Sequence, residues 1–349
     1  MSIVAYCYDF VIGVDTHARN HALAMVACPT GEQVTTAQFP ASGAGMARAI
    51  AWVARHTRDR VLWSIEGAGS YGAQLAAMVS AGGHQVVEAP RMNPRTRRGI
   101  GKSDELDALA IARATLPVAL DQLRHLRADT GPRAALRVLI GARDQMSTER
   151  TRTVNALTAL VRTIALGVGA RRALSAAQIT QITRWHARNE PAHLAVARTE
   201  AVRLAKRVGA LDRELATNLH QITQVIAATP AAPLLAHTGI GPVTAAVVLL
   251  AWSHPGRVRN DAAFAALAGV NPIPASSGNT TRHRLNRGGD RRLNQALHMA
   301  TISRMTHDPA IRAYVERRRT EGKTTKEIRR CLKRYLARNL YRELNTLHT

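Results

Sequence analysis

Two apolar runs near the N-terminus constrain the fold most, because each has the pattern of a buried strand and each ends in an acid. Residues 10–15 read Phe-Val-Ile-Gly-Val-Asp and residues 61–66 read Val-Leu-Trp-Ser-Ile-Glu, with the apolar and β-branched content typical of strands. The first third of the chain alternates such runs with helical patterns: three strands in hairpin order, then helix, strand, helix, strand and helix. This order predicts an α/β domain with a mixed sheet.

The remainder of the chain has helical patterns. Pro132 and Pro191 stand where a first helical position is expected, and apolar residues in a heptad-like spacing follow each of them. The two long helices either pair as an antiparallel coiled coil or belong to an ordinary helical domain, and in both cases we expect them to mediate assembly. We therefore divide the chain into an α/β domain (1–122), a helical assembly region (123–229) and a mainly helical C-terminal domain (230–349).

The charge balance predicts a polyanionic partner. Lys and Arg number 48 against 24 Asp and Glu, a formal net charge of +24, and nucleic acid is the simplest partner for such a chain. A membrane surface is the rival, but no apolar run reaches the roughly 18 residues of a spanning helix and no signal peptide is evident. Three separated cysteines indicate a reducing compartment without a zinc site, so we expect the bacterial cytoplasm. Aromatic residues make up 4%, so phosphate contacts should outweigh base stacking.

Four carboxylates in the first third of the chain form the candidate metal site. Asp15 and Glu66 end the two strand-like runs, and Asp104 and Asp107 open a helical segment with i, i+3 spacing that puts both on one face. Convergent carboxylates suit Mg²⁺ or Mn²⁺, which can polarise a phosphodiester. Each acid alone is more simply a cap or a surface residue. Their joint placement at strand ends and on one helix face favours a divalent-cation site.

A serine-containing loop with an arginine-rich continuation is the second candidate site. Ser276 and Ser277 stand before Gly278 in a segment with two prolines, and a hydroxyl placed among arginines could serve as a nucleophile on phosphate. Taken alone, Ser-Ser-Gly is a common loop. The arginines that follow are predicted to contact nucleic acid: Arg282, Arg284, Arg287, Arg291 and Arg292.

The turn Gly239-Ile-Gly241 predicts a helix-hairpin-helix element. Such a turn can point backbone N–H groups at a phosphate without reading sequence, or it can be a plain turn that only packs, and the sequence leaves both open. Four histidines show no metal-ligand spacing and are assigned no role: His17, His237, His283 and His298.

Three segments together resemble the D-E-D-D transposases of the insertion-sequence 110 family. Residues 14–17 (Val-Asp-Thr-His), 64–71 (Ser-Ile-Glu-Gly-Ala-Gly-Ser-Tyr) and 102–108 (Lys-Ser-Asp-Glu-Leu-Asp-Ala) carry the signature of the N-terminal domain. That domain resembles Holliday-junction resolvases of the ribonuclease H-like fold. The family's C-terminal domain has a similar proline, Ser-Gly and Leu-Arg pattern, whose serine before glycine corresponds to Ser277, with Ser276 as the alternative. This chain reads Arg-Arg-Leu-Asn at 291–294 where Leu-Arg-Arg is common, which leaves open the arginine that contacts phosphate.

The resemblance implies a DNA transposase with a serine-recombinase step. Asp15, Glu66, Asp104 and Asp107 would bind Mg²⁺ beside the scissile phosphate, and Ser277 would attack it and leave a protein–DNA linkage and a 3′-hydroxyl. The implied partners are double-stranded donor and target DNA, a structured guide RNA encoded by the element, and further copies of the chain in a dimer or tetramer. We expect a composite site completed between protomers, and a nucleoid-associated protein.

Two alternatives stay open at this point. One is a metal-dependent endonuclease of the Holliday-junction type that activates water, in which the serine is only structural. The other is a catalytically inactive nucleic-acid-binding protein descended from such an enzyme, against which the four intact acids argue.

Overall fold

A computed structural model describes residues 2–57, 60–91, 103–127, 130–279 and 283–348. The chain forms two compact units, one of Met1–Ala128 with His254–Arg259 and the other of Asp129–Ser253 with Asn260–Thr349. The predicted phosphate contact Arg282 lies outside the described residues, as does Lys102 of the signature. No helix in the described part of the chain is both long and apolar enough to span a bilayer.

The first unit is built on a mixed six-stranded sheet, which confirms the mixed sheet predicted from the sequence. Its spatial order is β3-β2-β1-β4-β5-β6, in which β1 runs parallel to β4 and β4 parallel to β5, while the other neighbours are antiparallel. The strands are β1 (Phe10–Thr16), β2 (Asn20–Ala27), β3 (Gln33–Pro40), β4 (Val61–Ile65), β5 (Gln85–Glu88) and β6 (Arg124–His125).

Helices cover both faces of this sheet, which explains why its central strands are apolar throughout. On one face Ile12, Val14 and Trp63 pack with residues of the helices α2 (Gly43–His56) and α3 (Ala73–Ala81). On the other face Val11 and Leu62 pack with α4 (Asp104–Thr115). A short helix α1 (Val4–Cys7) precedes β1, and a 3₁₀ helix (Leu120–Gln122) follows α4.

Gly13 is the residue that lets α4 lie directly on β1. A Cβ atom at this position would overlap the carbonyl oxygen of Ala108 and lie 2.5 Å from the backbone nitrogen of Ala112. Only a glycine allows that approach without a backbone shift. The contact holds the beginning of α4 against the carboxyl-terminal end of β1, where Asp15 lies.

The second unit is mainly helical, and its described residues include one small hairpin. In chain order its elements are α5 (Gly131–Thr163), α6 (Ala176–Thr183), α7 (Ala192–Ala227), a 3₁₀ helix (Ala232–Ala236), α8 (Pro242–Trp252), α9 (Asp261–Leu267), β7 (Pro272–Pro274), β8 (His283–Leu285), α10 (Arg291–His307), α11 (Pro309–Thr320) and α12 (Thr325–Leu347). The strands β7 and β8 pair antiparallel, with Pro272 opposite Leu285 and Pro274 opposite His283.

The two long helices of this unit, α5 and α7, are those that the sequence predicts, and they run antiparallel. Asn218 Nδ2 donates to the carbonyl of Leu139 at 2.9 Å, whereas Arg207 Nε donates to Glu149 Oε1 at 2.7 Å, so later residues of α5 meet earlier residues of α7. Their part in assembly, and the three-domain division with borders near 122 and 229, stay predictions.

Candidate metal and nucleic-acid sites

Asp15 and the two aspartates of α4 face each other because of strand alternation and helix capping. Asp15 shares a face of β1 with Gly13, on which α4 packs, and it is 7% exposed. Ser103 caps α4 by accepting a hydrogen bond from the backbone of Leu106, and Asp104 and Asp107 occupy the first turn. Acids are favoured there by the helix dipole. The two elements therefore direct carboxylates toward one end of the sheet.

His17 joins Asp15 and Asp104 in one cluster. Its Nε2 lies 3.0 Å from Asp15 Oδ2 and 3.4 Å from Asp104 Oδ1. One possible ligand atom from each residue lies within 4.8 Å of the other two. Opposite ligands of an octahedral Mg²⁺ are about 4 Å apart, since each bond is 2.0–2.1 Å. The three side chains thus fit one divalent cation with a small adjustment.

The surroundings of Asp15 disfavour the ionised form of its carboxyl group. Burial raises the pKa of Asp15, His17 opposes that rise through its charge and hydrogen bond, and the charges of Asp107 and Asp104 add to it. Asp107 is therefore close enough to contribute to the negative potential at Asp15. A bound cation would relieve both the desolvation and the repulsion between carboxylates.

Glu66 stands on the neighbouring strand at the same end of the sheet. Its backbone N–H donates to the carbonyl of Val14 at 2.9 Å, and the hydroxyl of Thr16 donates to its carbonyl at 2.7 Å. The side chain of Glu66 is exposed and, like that of Asp107, is not part of the three-residue cluster. The structure thus brings Asp15 and Asp104 together and places Glu66 and Asp107 beside them.

His17 is the residue that the sequence reasoning missed. The sequence predicts no role for it, because its spacing from other histidines and cysteines fits no metal motif. The signal available was the Asp-x-His pair at the end of a strand, because residues two apart on a strand share a face. The ring contacts two of the four predicted acids, so the structure adds His17 to the candidate site.

In the second unit, Ser277 lies in the segment that connects β7 and β8. Ser276 and Ser277 are exposed, and Gly278 follows with φ +55°, a conformation that favours glycine. Arg284 lies on β8 opposite Ile273 and is exposed.

The other described arginines of this segment differ in what they contact. Arg287 lies between β8 and α10, and Arg291 opens α10; both are exposed. Arg292 is half exposed, and its Nη2 lies 2.5 Å from Asp144 Oδ2 of α5 in an ion pair. A phosphate would have to compete with that carboxylate for Arg292, so Arg287 and Arg291 are the stronger candidates.

The turn at Gly239 and Gly241 connects the 3₁₀ helix to α8. Gly239 has φ +81°, and a Cβ there would lie 2.8 Å from the carbonyl oxygen of Ala300 in α10. Close packing on α10 is therefore sufficient to explain this glycine. Gly241 precedes α8 in extended conformation and has open space at its Cβ position, so phosphate binding by the turn stays a prediction.

Comparison with known proteins connects both sites to one family. Residues 12–165 match a transposase family model of the DEDD type from IS110, and residues 231–316 match the transposase model of the IS116/IS110/IS902 family. The chain belongs to the IS110 family of transposases. The resemblance seen in the sequence is thereby confirmed.

Two relatives among known proteins are products of insertion elements. The "Insertion element IS110 uncharacterized 43.6 kDa protein" of Streptomyces coelicolor is 28% identical, with 85% of this chain and 84% of the relative covered. The "Insertion element IS900 uncharacterized 42 kDa protein" of Mycobacterium paratuberculosis is also 28% identical, with 75% of this chain and 77% of the relative covered. Their similarity extends beyond either matched segment alone.

Family membership determines the class of reaction. An IS110-family transposase cuts and rejoins DNA, and the D-E-D-D type uses a divalent metal. The first matched segment contains the four predicted acids and His17, and the second contains Gly239, Gly241 and Ser277 with its arginines. The chain is thus an enzyme, and the inactive nucleic-acid-binding alternative is set aside.

Proposed function

We propose that this transposase cuts and rejoins double-stranded DNA with a divalent cation held at the end of β1 and with Ser277 as the nucleophile. The observation that carries the proposal is the convergence of Asp15, His17 and Asp104 within 4.8 Å. The spatial order β3-β2-β1-β4-β5, with β1 antiparallel to β2 and parallel to β4, supports a ribonuclease H-like assignment for this unit.

Asp15 and Asp104 would hold the cation, with His17, Asp107 and Glu66 around them. Mg²⁺ or Mn²⁺, both suited to carboxylate oxygens, would polarise the phosphoryl group when bound. Asp15 is fixed on a covered strand and needs no large rearrangement. Asp104 lies in the exposed first turn of α4 and leaves one side of the site open to a phosphate.

Ser277 would carry out the transesterification. Its Oγ attacks the phosphorus of the scissile bond, an Oγ–P bond forms, and the P–O3′ bond breaks. The hydroxyl proton is lost from Ser277, and the departing 3′ oxygen takes up a proton to become a free hydroxyl. Attack of a 3′-hydroxyl from the exchanged strand on the phosphoserine reverses these steps and reseals the DNA. Arg284, Arg287 and Arg291 would neutralise phosphate charge during both steps.

The partners beyond DNA are part of the same proposal. By family resemblance, a structured RNA encoded by the element would guide the enzyme, and the net charge of +24 is compatible with two nucleic-acid partners. Assembly through the long helices is supported by exposed apolar residues on them. Val138 of α5 is 70% exposed and Val196 of α7 is 69% exposed.

Trapping of the covalent intermediate tests the proposal. DNA is labelled on one side of the scissile phosphodiester, either 5′ or 3′ of it, and is incubated with the enzyme and Mg²⁺. Protein–DNA adducts are then separated under denaturing conditions, and the label shows which DNA fragment is attached to the protein. We expect Ser277→Ala to abolish the adduct with DNA affinity retained, and Ser276→Ala, the matched control, to keep it.

Two outcomes would contradict the serine step. Full activity of a Ser276→Ala/Ser277→Ala double variant would show that neither serine is the nucleophile. Cleavage by the wild type without any attached protein would favour the endonuclease that activates water, which the acid cluster alone could support.

A further inference from the structure

A strongly basic cleft lies between α10, α12 and the segment that follows β8. Its volume is about 630 Å³, and none of the described residues that line it is acidic. Arginine and lysine side chains from three parts of the sequence line it: Arg287, Arg291, Lys326, Arg329, Arg330 and Lys333.

Lys333 is held in a fixed position at this cleft. Its Nζ donates to Asn294 Oδ1 at 2.6 Å, and Asn294 Nδ2 in turn donates to the carbonyl of Ala268 at 2.7 Å. Lys333 is half-buried, unlike the exposed Lys326 and Arg330 nearby. A lysine ammonium oriented by an amide that is itself oriented by the backbone is a preorganised donor, whereas a solvated surface lysine is mobile.

The positive charge of the cleft has no counter-ion among its described lining residues. Burial and the charge of Arg329 lower the pKa of Lys333, and burial with the charges of Lys333 and Arg329 lowers the pKa of His298, which also lines the cleft. Partly buried positive charges are stabilised by a partner of opposite sign, so an external anion in the cleft would supply the counter-ion that the lining residues lack.

The basic surface continues to the hairpin that carries Ser277. A second, smaller cleft of about 140 Å³ lies on that side, shares Arg330 and Lys333 with the first, and adds Arg284 of β8. Ser277 follows Pro272, which lines this smaller cleft, by five residues, and five residues span at most roughly 17 Å. Because one DNA strand advances about 3.4 Å per nucleotide, roughly five nucleotides cover that distance.

We infer that this cleft binds backbone phosphates of the DNA strand that Ser277 cuts, a few nucleotides from the scissile phosphate. Arginine forks can bind phosphate oxygens bidentately, and Lys333 adds a fixed point charge. Such contacts position the strand without reading its sequence. The position relative to Ser277 rests on the proposed function, whereas phosphate binding by the cleft does not. A phosphate of RNA has the same chemistry and is the alternative source.

Salt-dependent DNA affinity tests the cleft in the full-length protein. The affinity of each variant for duplex DNA and for a structured RNA is measured as a function of salt concentration. The two cleft variants are Lys326→Gln/Arg330→Gln and Arg329→Gln/Lys333→Gln, and the control variant is Arg171→Gln/Arg172→Gln. The control removes the same charge from exposed positions of the same unit. Each lost contact with duplex phosphate lowers the slope of log K against log salt by about 0.9, so we expect a fall of roughly 1.8 for either cleft variant.

Substitution of the half-buried Arg329 and Lys333 could impair folding. The Lys326→Gln/Arg330→Gln variant changes only exposed side chains, so the test remains valid in that case. An unchanged slope for Lys326→Gln/Arg330→Gln, or an equal fall for the control, would overturn the inference. A fall for RNA alone would overturn the assignment to DNA.

Neutral methylphosphonate linkages locate the contact along the strand. Placed within about five nucleotides of the cleavage position, one such linkage should weaken DNA binding by the wild type but not by Lys326→Gln/Arg330→Gln. If only methylphosphonates farther from the cleavage position weakened DNA binding, the cleft would not bind phosphates near Ser277. These measurements need no cleavage, so failure of Ser277→Ala to block the adduct would disprove the nucleophile while leaving the phosphate cleft intact.

Discussion

The acid cluster of the first unit and the basic hairpin region of the second are built in contrasting ways. Asp15 is 7% exposed on a strand covered on both faces, and its partner helix is held by the Gly13 contact. Ser277, Arg284 and Arg287 are exposed on a short hairpin and the segment after it. Metal ligands must keep fixed distances, so they belong on packed elements, whereas contacts to a flexible backbone tolerate movement.

The two regions also carry opposite, uncompensated charge. Burial raises the pKa of Asp15, and burial lowers the pKa of Lys333. In each case burial disfavours the charged form of a group that one hydrogen bond holds in place, with His17 for Asp15 and with Asn294 for Lys333. A cation near the first group and an anion near the second would favour the charged forms, as expected of an enzyme that handles a phosphodiester with a metal.

Asp15→Asn should give the largest effect and separate the two regions. Loss of a ligand that stabilises the transition state by several kcal/mol should lower strand cleavage by roughly 10³-fold or more. DNA affinity should remain, because phosphate contacts lie elsewhere. Without a divalent cation, ionised Asp15 opposes folding at neutral pH, since its pKa is raised in the folded state, so the melting temperature of the metal-free variant should not fall below that of the metal-free wild type.

Asp121→Asn is the matched control for this variant. It makes the same chemical change at an exposed aspartate of the same unit and should leave cleavage unchanged. If Asp15→Asn lost DNA affinity together with cleavage, metal binding and DNA binding would not belong to two separate regions of the protein.

Gly13→Ala should have the next largest effect, on the free energy of unfolding. The added methyl overlaps the backbone of α4, and overpacking of this kind costs typically 1–3 kcal/mol. Because α4 carries Asp104 and Asp107, cleavage should also fall. Denaturant unfolding measures the loss, and Gly43→Ala, whose Cβ meets open space, is the control. Equal stability of the two variants would show that α4 does not depend on this contact.

The sequence predicted the elements of the first region better than their contacts. Strand composition predicted β1 and β4 with their terminal acids, and the i, i+3 pair predicted that Asp104 and Asp107 share a face. The part played by His17 escaped prediction because its partner Asp104 is distant in sequence, and only the packing of α4 on β1 brings them together. Periodicity describes a single element and carries no information on which elements meet.

The second region shows the same limit more strongly. The arginines were predicted as a linear run, yet Arg292 pairs with Asp144 of a distant helix. The cleft around Lys333 combines α12 with α10 and the segment after β8, and no local pattern in the sequence indicates that combination. A basic run alone does not distinguish a solvated face from a preorganised site.

Divalent cations should stabilise the first region selectively. At a Mg²⁺ or Mn²⁺ concentration of about 100 times Kd, binding to the folded state adds roughly 2.7 kcal/mol to the free energy of unfolding. We expect a rise in melting temperature for wild type, a smaller rise for His17→Ala and none for Asp15→Asn. Lys333→Gln should respond like wild type. An equal rise in Asp15→Asn would place the cation elsewhere in the protein.

The turn before α8 gives the smallest effect and tests whether packing and phosphate contact are divided between its two glycines. Gly239→Ala should lower the free energy of unfolding by about 1–2 kcal/mol, because an alanine is strained at φ +81° and its Cβ approaches the carbonyl of Ala300. Gly241→Ala should not destabilise the protein, since its backbone is extended and its surroundings are open.

The same two variants separate stability from DNA binding. If backbone N–H groups of the turn hold a phosphate, a methyl at Gly241 obstructs that approach and should weaken DNA binding measurably at unchanged melting temperature. Gly239→Ala, whose methyl is directed toward α10, should bind DNA as wild type does once folded. Wild-type affinity in Gly241→Ala would leave the turn as a packing element alone and confine phosphate recognition in this unit to the hairpin and its basic cleft.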